Sequence, residues 1–269
     1  MRIVVPIKQV PETSNVKMDP ETGTMIRTGV EAIVNPLDLY AIEAALRLRE
    51  QVGGQVTTLS MGPASASKAL REAVAMGCDD GILLSDKKFA GSDTWATAYA
   101  LAQAIKKIGA VELIICGERA TDGDTGQVGP GIAAFLDLPV ATYVSRIYDV
   151  SADSLRVKRL VEGGAEILWT PLPAVLAVVK EIAYPRLPTL RGKQRAKRSE
   201  LAVWRPADIE AKIEWLGLEG SPTRVVKIDK PQVARRVELI RAKDPADVDR
   251  AATRFVEFLR ERQLIVSRD

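Results

Sequence analysis

Apolar runs alternate with helical patterns through the first two-thirds of the chain. Arg2–Ile7 is β-branched and reads as a strand. After a polar excursion, Asn35-Pro36 opens a helix, because Asn suits a cap and Pro suits the first turn. Leu39, Ile42, Ala45 and Leu46 follow at helical spacing. Gln55–Met61 is a second strand, ending at Gly62-Pro63, and Ala64–Met76 is a helix closed by Gly77. Gly81–Leu84 is a third strand. Ser92–Ile108 is a helix closed by Gly109, with Trp95, Ala98, Leu101, Ala102 and Ile105 on one side. Val111–Cys116 and Val128–Leu136 form the next strand and helix, and Val140–Val144 is a fifth strand. This βαβαβαβαβ order with apolar strands predicts an α/β fold, a parallel sheet covered on both faces. Ligands of such sheets bind beyond the carboxyl ends of the strands. The site is therefore expected in Pro6–Gln9, Met61-Gly62-Pro63, Ser85–Asp93 and Gly117–Gln127.

From Ser145 the pattern changes. Ile147–Val150 and Leu155–Val161 read as paired strands, Gly163-Gly164 as a turn, and Ala165–Trp169 as a continuing meander. Ala174–Val179 suits a buried strand. The segment EIAYPRLPTLRGKQRAKR is basic and punctuated by proline, and reads as an exposed arm. Ala207–Leu216 and Asp244–Arg262 are helix candidates. The second carries Val248, Ala251, Ala252, Phe255, Val256 and Leu259 on one stripe. The expected division is an α/β domain over residues 1–184, with a β-meander near 145–180, and a C-terminal arm over 185–269.

Composition narrows the chemistry. The chain has 269 residues, a formal charge of +3 and no histidine. Without histidine, a Ser-His-Asp or Cys-His mechanism and a histidine metal site are excluded within this chain. Chemistry carried by a bound cofactor is untouched. Acidic and basic residues nearly balance, so nucleic-acid binding is not indicated. No apolar run reaches membrane-span length, and the first residues lack a signal-peptide pattern. A cytoplasmic protein is expected, membrane-associated at most through partner subunits, with Cys78 and Cys116 as buried reduced thiols.

The stretch GERATDGDTGQVGP lies between a strand and a helix and contains almost nothing bulky. Glycine lets backbone approach a ligand, and a helix N-terminus favours anions. Thr125 is a hydroxyl donor, Asp122 an acceptor for a ribose or adenine donor, and Asp124 with Gln127 resembles a capping box. The loop lacks a Walker lysine, and no GxGxxG follows the first strand. Two readings stand: a nucleotide loop or a tight βα turn.

Ordered motifs carry a resemblance. VPIKQVP, VNPLDLYAIEAALRLRE, LSMGPASASKALREAVAMGCDDGILL, GERATDGDTGQVGPGIAAFLDLP and YPRLPTLRGKQRAKR together resemble the β subunit of electron-transfer flavoproteins, over nearly the full chain. The resemblance implies a doubly wound parallel sheet, Rossmann-like and similar to the adenine nucleotide alpha-hydrolase fold, with a small antiparallel meander and a C-terminal arm. It implies a heterodimer with an α subunit that carries FAD. It places Pro6, Asn35, Pro36, Leu37, Asp38 and Met61 around a nucleotide, together with Gly117, Glu118, Arg119, Ala120, Thr121, Asp122, Gly123, Asp124, Thr125, Gly126, Gln127 and Val128.

Ordinary members of that family bind AMP through a loop resembling GxQAIDDDxxQTGQ. Here Gly123 replaces an acidic residue, and Val128 and Pro130 replace polar ones. This resembles the electron-bifurcating branch, whose β subunit binds a complete FAD. The helix start at Asp93, Thr94 and Thr97 resembles the DTxAT element of that branch, which would place the threonines near the flavin; read alone, it is equally a capped amphipathic helix. The implied role is hydride acceptance from NADH. Electrons then divide between a high-potential path through the α-subunit FAD and a low-potential ferredoxin or flavodoxin. The alternatives are a non-bifurcating subunit holding AMP and a redox-unrelated adenine-nucleotide module. Leu190 matches an exposed leucine that anchors to a dehydrogenase or quinone-oxidoreductase partner, while the basic cluster around it also reads as a solvated linker.

Overall fold

The computed structural model describes residues 1–12, 17–18, 25–26, 32–224, 226 and 239–265. In chain order the early strands are β1 (Arg2–Pro6), β2 (Gln9–Pro11), β3 (Lys17–Met18), β4 (Met25–Ile26), β5 (Ala32–Val34), β6 (Gln55–Met61) and β7 (Asp80–Leu84). The later ones are β8 (Leu113–Gly117), β9 (Val140–Val150), β10 (Ser154–Val161), β11 (Gly164–Pro171), β12 (Ala174–Val178) and β13 (Ala202–Trp204). The helices are α1 (Pro36–Val52), α2 (Ser67–Met76), α3 (Thr94–Ile108), α4 (Val128–Leu136), α5 (Leu190–Arg198) and α6 (Pro245–Glu261).

Nine strands form one sheet in the order β11-β10-β9-β12-β8-β1-β6-β7-β13. From β9 through β13 in this order every pairing is parallel, while β10 and β11 pair antiparallel at the far edge. The doubly wound α/β expectation is thus met, with its antiparallel meander. β1 shows why both faces are covered. Ile3 and Val5 pack with the residues of α1 and α2, while Val4 packs with those of α3 and α4. A strand apolar on both sides needs helices on both sides.

Three local readings differ from the sequence expectation. The fifth strand does not stop at Val144. It continues as one strand to Val150, with register shifts against β10 and a positive φ of 55° at Tyr143. The polar Ser145 does not end it, because Ser145 is buried and its Oγ donates to the Lys158 carbonyl at 3.3 Å. Ala207–Leu216 is not an α-helix but two short 3-10 turns, Pro206–Ile209 and Ile213–Trp215. Glu210 in the left-handed region ends the first turn, and within Ala207–Leu216 only Ile209 and Leu216 are fully buried.

The third difference is the basic segment. It returns to the sheet rather than standing off as an arm. Arg186 reaches Glu43 on α1, with Nε donating to Oε2 at 2.8 Å, and Glu50 at 2.5 Å. α5 lies on α2, where Ala196 is buried with Val74 and Ala75. Arg195 donates to the Val74 carbonyl at 2.9 Å and to that of Cys78, and Arg71 donates to the Ser199 and Ala196 carbonyls. Arg195 and Arg71 thus satisfy carbonyls at the ends of the two helices, while Arg191 and Arg198 stay exposed. β13 then adds beside β7. Tyr184, Leu187 and Leu190 remain exposed. The first compact unit runs Met1–Ile228, past the change of composition at residue 184, and the second is Asp229–Asp269. Within the second, α6 is capped by Asp244, whose Oδ1 accepts from Asp247 N at 2.8 Å, and Val248, Phe255 and Val256 are exposed.

Candidate functional site

β1 lies between β6 and β8, and the helices after β1 and β8, α1 and α4, cover opposite faces. That is a topological switch point, where a crevice opens beyond the strand ends. A cavity of about 470 Å³ lies there. Of the residues expected at the site, Pro6, Asp38, Met61, Asp93, Thr94 and Thr97 line it, as do Gly117, Glu118, Arg119, Ala120, Gly123, Asp124, Thr125, Gly126, Gln127 and Val128.

Asn35, Pro36, Leu37, Thr121 and Asp122 do not line the cavity; they shape its walls. Asn35 makes no side-chain cap on α1. It is fully buried and holds the loop after β8: its Nδ2 donates to the Arg119 carbonyl at 2.9 Å, and its Oδ1 accepts from Thr121 N at 3.2 Å. Pro36 fits the first turn of α1. Leu37 backbone lies so close to Gly117 that a Cβ there would sit 2.9 Å from its carbonyl carbon and oxygen. Asp122, expected as an acceptor for a ligand, instead pairs with Lys8 Nζ at 2.7 Å.

The expected capping box at Asp124 and Gln127 is absent. Gln127 caps α4 without a side-chain hydrogen bond. Asp124 has a φ of 53° and its carboxylate pairs with Arg119 Nε at 3.1 Å, which turns it away from the helix. Val128 and Gly129 thus open α4 beside the cavity without a side chain on their N–H groups. An uncapped N-terminus of this kind favours an anion.

The opposite wall is the start of α3. Asp93 caps it, accepting from Ala96 N at 3.0 Å, and Thr94 Oγ1 donates to Thr125 Oγ1 at 3.2 Å across the cleft. Asp93 Oδ2 also accepts from Thr223 N at 2.9 Å and Thr223 Oγ1 at 2.7 Å, while Asp93 N donates to Ser221 Oγ at 2.8 Å. Burial opposes its ionisation, but the bonds from Ala96 and Thr223 outweigh this and hold its carboxyl below the usual carboxylate range. Replacing Asp93 by alanine removes a cap and the anchor of Thr223. The expected loss is about 2 kcal/mol in denaturant unfolding. An unchanged midpoint would remove Asp93 as the anchor.

Sequence reasoning missed Leu101, Cys116, Gly129 and Thr223 as lining residues. Ile7, Lys8, Phe89, Gly91 and Ser92 fall inside the strand-end segments already expected. Leu101 is on the apolar side of α3, indistinguishable from core by spacing. Thr223 lies in a stretch without pattern, and its signal is only its long-range bond to Asp93. Both cysteines are buried and unpaired. Burial pushes the Cys78 thiol up to about 12.

A parallel doubly wound sheet, a small-residue loop at its switch point and an uncapped helix start place the chain among doubly wound α/β proteins, a class in which strand ends at such a point are the usual ligand site. Comparison with known proteins narrows this. The electron transfer flavoprotein domain family matches residues 22–209. The chain belongs to the electron transfer flavoprotein family. It is 45% identical over 266 residues to the electron transfer flavoprotein subunit beta of Thermoanaerobacterium thermosaccharolyticum, covering 98% of this chain and 100% of that one. It is 46% identical over 261 residues to Protein FixA of Azotobacter vinelandii, covering 94% and 93%. It is 43% identical over 266 residues to the caffeyl-CoA reductase-Etf complex subunit CarD of Acetobacterium woodii, covering 98% and 100%. The likeness thus lies with β subunits, FixA and CarD along nearly the whole chain. No helix among the described residues is long and apolar enough to cross a membrane.

Proposed function

We propose that this chain is the β subunit of a heterodimeric electron-transfer flavoprotein and that its cleft binds a complete FAD. The observation carrying this reading is the reach of the cavity, from Pro6 and Gly117 at the central strand ends to Thr94, Thr97 and Thr223 at the start of α3. AMP held at the central strand ends would leave the start of α3 unused, whereas a dinucleotide would use both ends. The lining fits the group. The uncapped start of α4 suits a pyrophosphate, and the hydroxyls of Thr94, Thr97 and Thr223 suit the polar edge of a flavin. Phe89, Leu101 and Met61 provide apolar surface that keeps water from the ring. FAD held here supplies hydride acceptance from NADH and one-electron delivery, to the α-subunit FAD on one side and to a ferredoxin or flavodoxin on the other.

The chain itself contributes binding, orientation and water exclusion. No side-chain nucleophile or histidine is needed for these tasks. Leu190 opens α5 at 81% exposure, with Leu187 at 85% beside it. Arginines surround this pair, a fit for a transient dehydrogenase or quinone-oxidoreductase contact. The apolar stripe of α6 is assigned to the α subunit.

Copurification with the α subunit and a flavin count after denaturation tests the reading. Two flavins per heterodimer are expected; one flavin with one AMP would overturn FAD binding here. A chain that stays monomeric beside its partner would favour a redox-unrelated nucleotide module. Gly123→Glu gives a residue-level check. A Cβ at Gly123 meets nothing within 4 Å, so the fold tolerates the substitution, which adds a carboxylate to a loop that lines the cavity. The β-subunit flavin is expected to be lost and the α-subunit flavin retained. Equal flavin content in variant and parent would move the cofactor away from this loop.

A further inference from the structure

We infer, on the reading that the cleft takes a nucleotide, that Asp38 is a proton-linked positioning residue: it joins β1, α1 and the loop after β8, and takes up a proton when an anionic ligand enters. Asp38 sits in the first turn of α1, buried, and lines the cavity. Its Oδ2 accepts from Lys8 N at 2.7 Å, just past the end of β1. Its Oδ1 lies where a Cβ on Gly117 would come within 2.5 Å, so the carboxyl rests on the end of β8. The Asn35 side chain lies near it and favours its charged form. One carboxyl thus touches all three segments that form the floor of the cleft.

The charges around it leave Asp38 without a cation of its own. The Lys8 ammonium is taken by Asp122 at 2.7 Å. From β8 the Cys116 side chain faces it, a thiol that burial and the Asp38 charge keep protonated. Burial raises the Asp38 carboxyl to about 7; the Lys8 backbone N–H, Asn35 and the Lys8 charge oppose this, and the Asp122 charge adds to it. A phosphate-bearing ligand in the same cavity adds repulsion of the same sign as Asp122. Protonated, the carboxyl keeps an acceptor oxygen for Lys8 N and gains an O–H donor.

Linkage fixes the sign. A ligand that raises the proton affinity of Asp38 must bind more weakly as pH rises above the free-state value, by at most about tenfold per pH unit for one proton. Below that value Asp38 is already protonated and affinity is flat.

The test uses the full chain with its α subunit, stripped of nucleotide at this site, and titrated with FAD and separately with AMP from about pH 6 to about pH 8.5. Calorimetry in buffers of different ionisation enthalpy reads proton uptake directly. The parent is expected to lose about three- to tenfold in affinity per pH unit above pH 7 and to take up a fraction of a proton. Above about pH 7, where the AMP phosphate is already ionised, D38N is expected to bind with neither slope nor uptake. A slope that survives in D38N overturns the role of Asp38 and leaves the nucleotide reading standing. If neither FAD nor AMP binds the parent at any pH, that reading fails and the inference with it. Should D38N not fold, the parent decides: binding near pH 7.5 without proton uptake overturns the inference.

Discussion

A Gly117→Ala chain is expected to lose its nucleotide and about 2–3 kcal/mol of stability. The added methyl would meet Asp38 Oδ1 at 2.5 Å and the Leu37 carbonyl carbon and oxygen at 2.9 Å. Neither neighbour can yield cheaply. Leu37 is backbone in the first turn of α1, and Asp38 is held by Lys8 N. The end of β8 and the start of α1 must therefore separate, which widens the cleft where the two elements meet. Denaturant unfolding reads the stability, and the nucleotide released per chain reads the site. A matched Gly123→Ala chain provides the contrast, since that Cβ meets nothing within 4 Å and the loop should tolerate it. Equal effects from the two substitutions would contradict the packing described for Gly117.

Arg186→Met is expected to cost about 3 kcal/mol near neutral pH. Glu43 is only 2% exposed, and Arg186 supplies bonds to both of its oxygens, Nε at 2.8 Å to Oε2 and Nη2 at 3.1 Å to Oε1. Arg47 Nε keeps one oxygen at 2.7 Å in the variant, so the pair is weakened rather than erased. Burial opposes ionisation of Glu43, but the bonds from Arg186 and Arg47 outweigh it and hold its carboxyl below the usual range. Stability from such a depressed group is present above the ordinary glutamate value and is lost as pH falls through the folded one. The difference between parent and variant should therefore shrink in acid. Adding Glu43→Gln to Arg186→Met should recover part of the loss, because the stranded charge is gone. A penalty independent of pH and of Glu43 would point to lost packing of the arginine stem instead.

What the sequence made legible was whatever depends on local pattern. The parallel strands and their helices were readable because buried strands are apolar on both faces and α1, α2 and α3 each end at a glycine. The cleft was readable because strand ends and small residues mark it. The two failures at caps share one cause. Asn35 and Asp124 both have the chemistry of a cap, but the fold gives each a distant partner, the loop at Arg119 and Thr121 for one and the Arg119 side chain for the other. Side-chain capacity is visible in a sequence; the choice among partners is not. The basic segment after Tyr184 failed for the same reason. Arg186 and Arg195 look solvated until Glu43 and α2 are placed beside them. Thr223 stayed hidden because a lone threonine in an unpatterned stretch carries no local signal.

β12 gives the sheet an order of assembly. It inserts between β8 and β9, yet it follows β9, β10 and β11 in the chain. The hairpins of β9 to β11 close over short loops, whereas β8 waits for a strand about sixty residues later. During synthesis, β8 and β9 each present an unpaired edge until Ala174–Val178 emerges to fill both sides at once. A chain stopped before Ala174 would hold two open apolar edges, and aggregation of such fragments is the natural consequence of where this strand was placed.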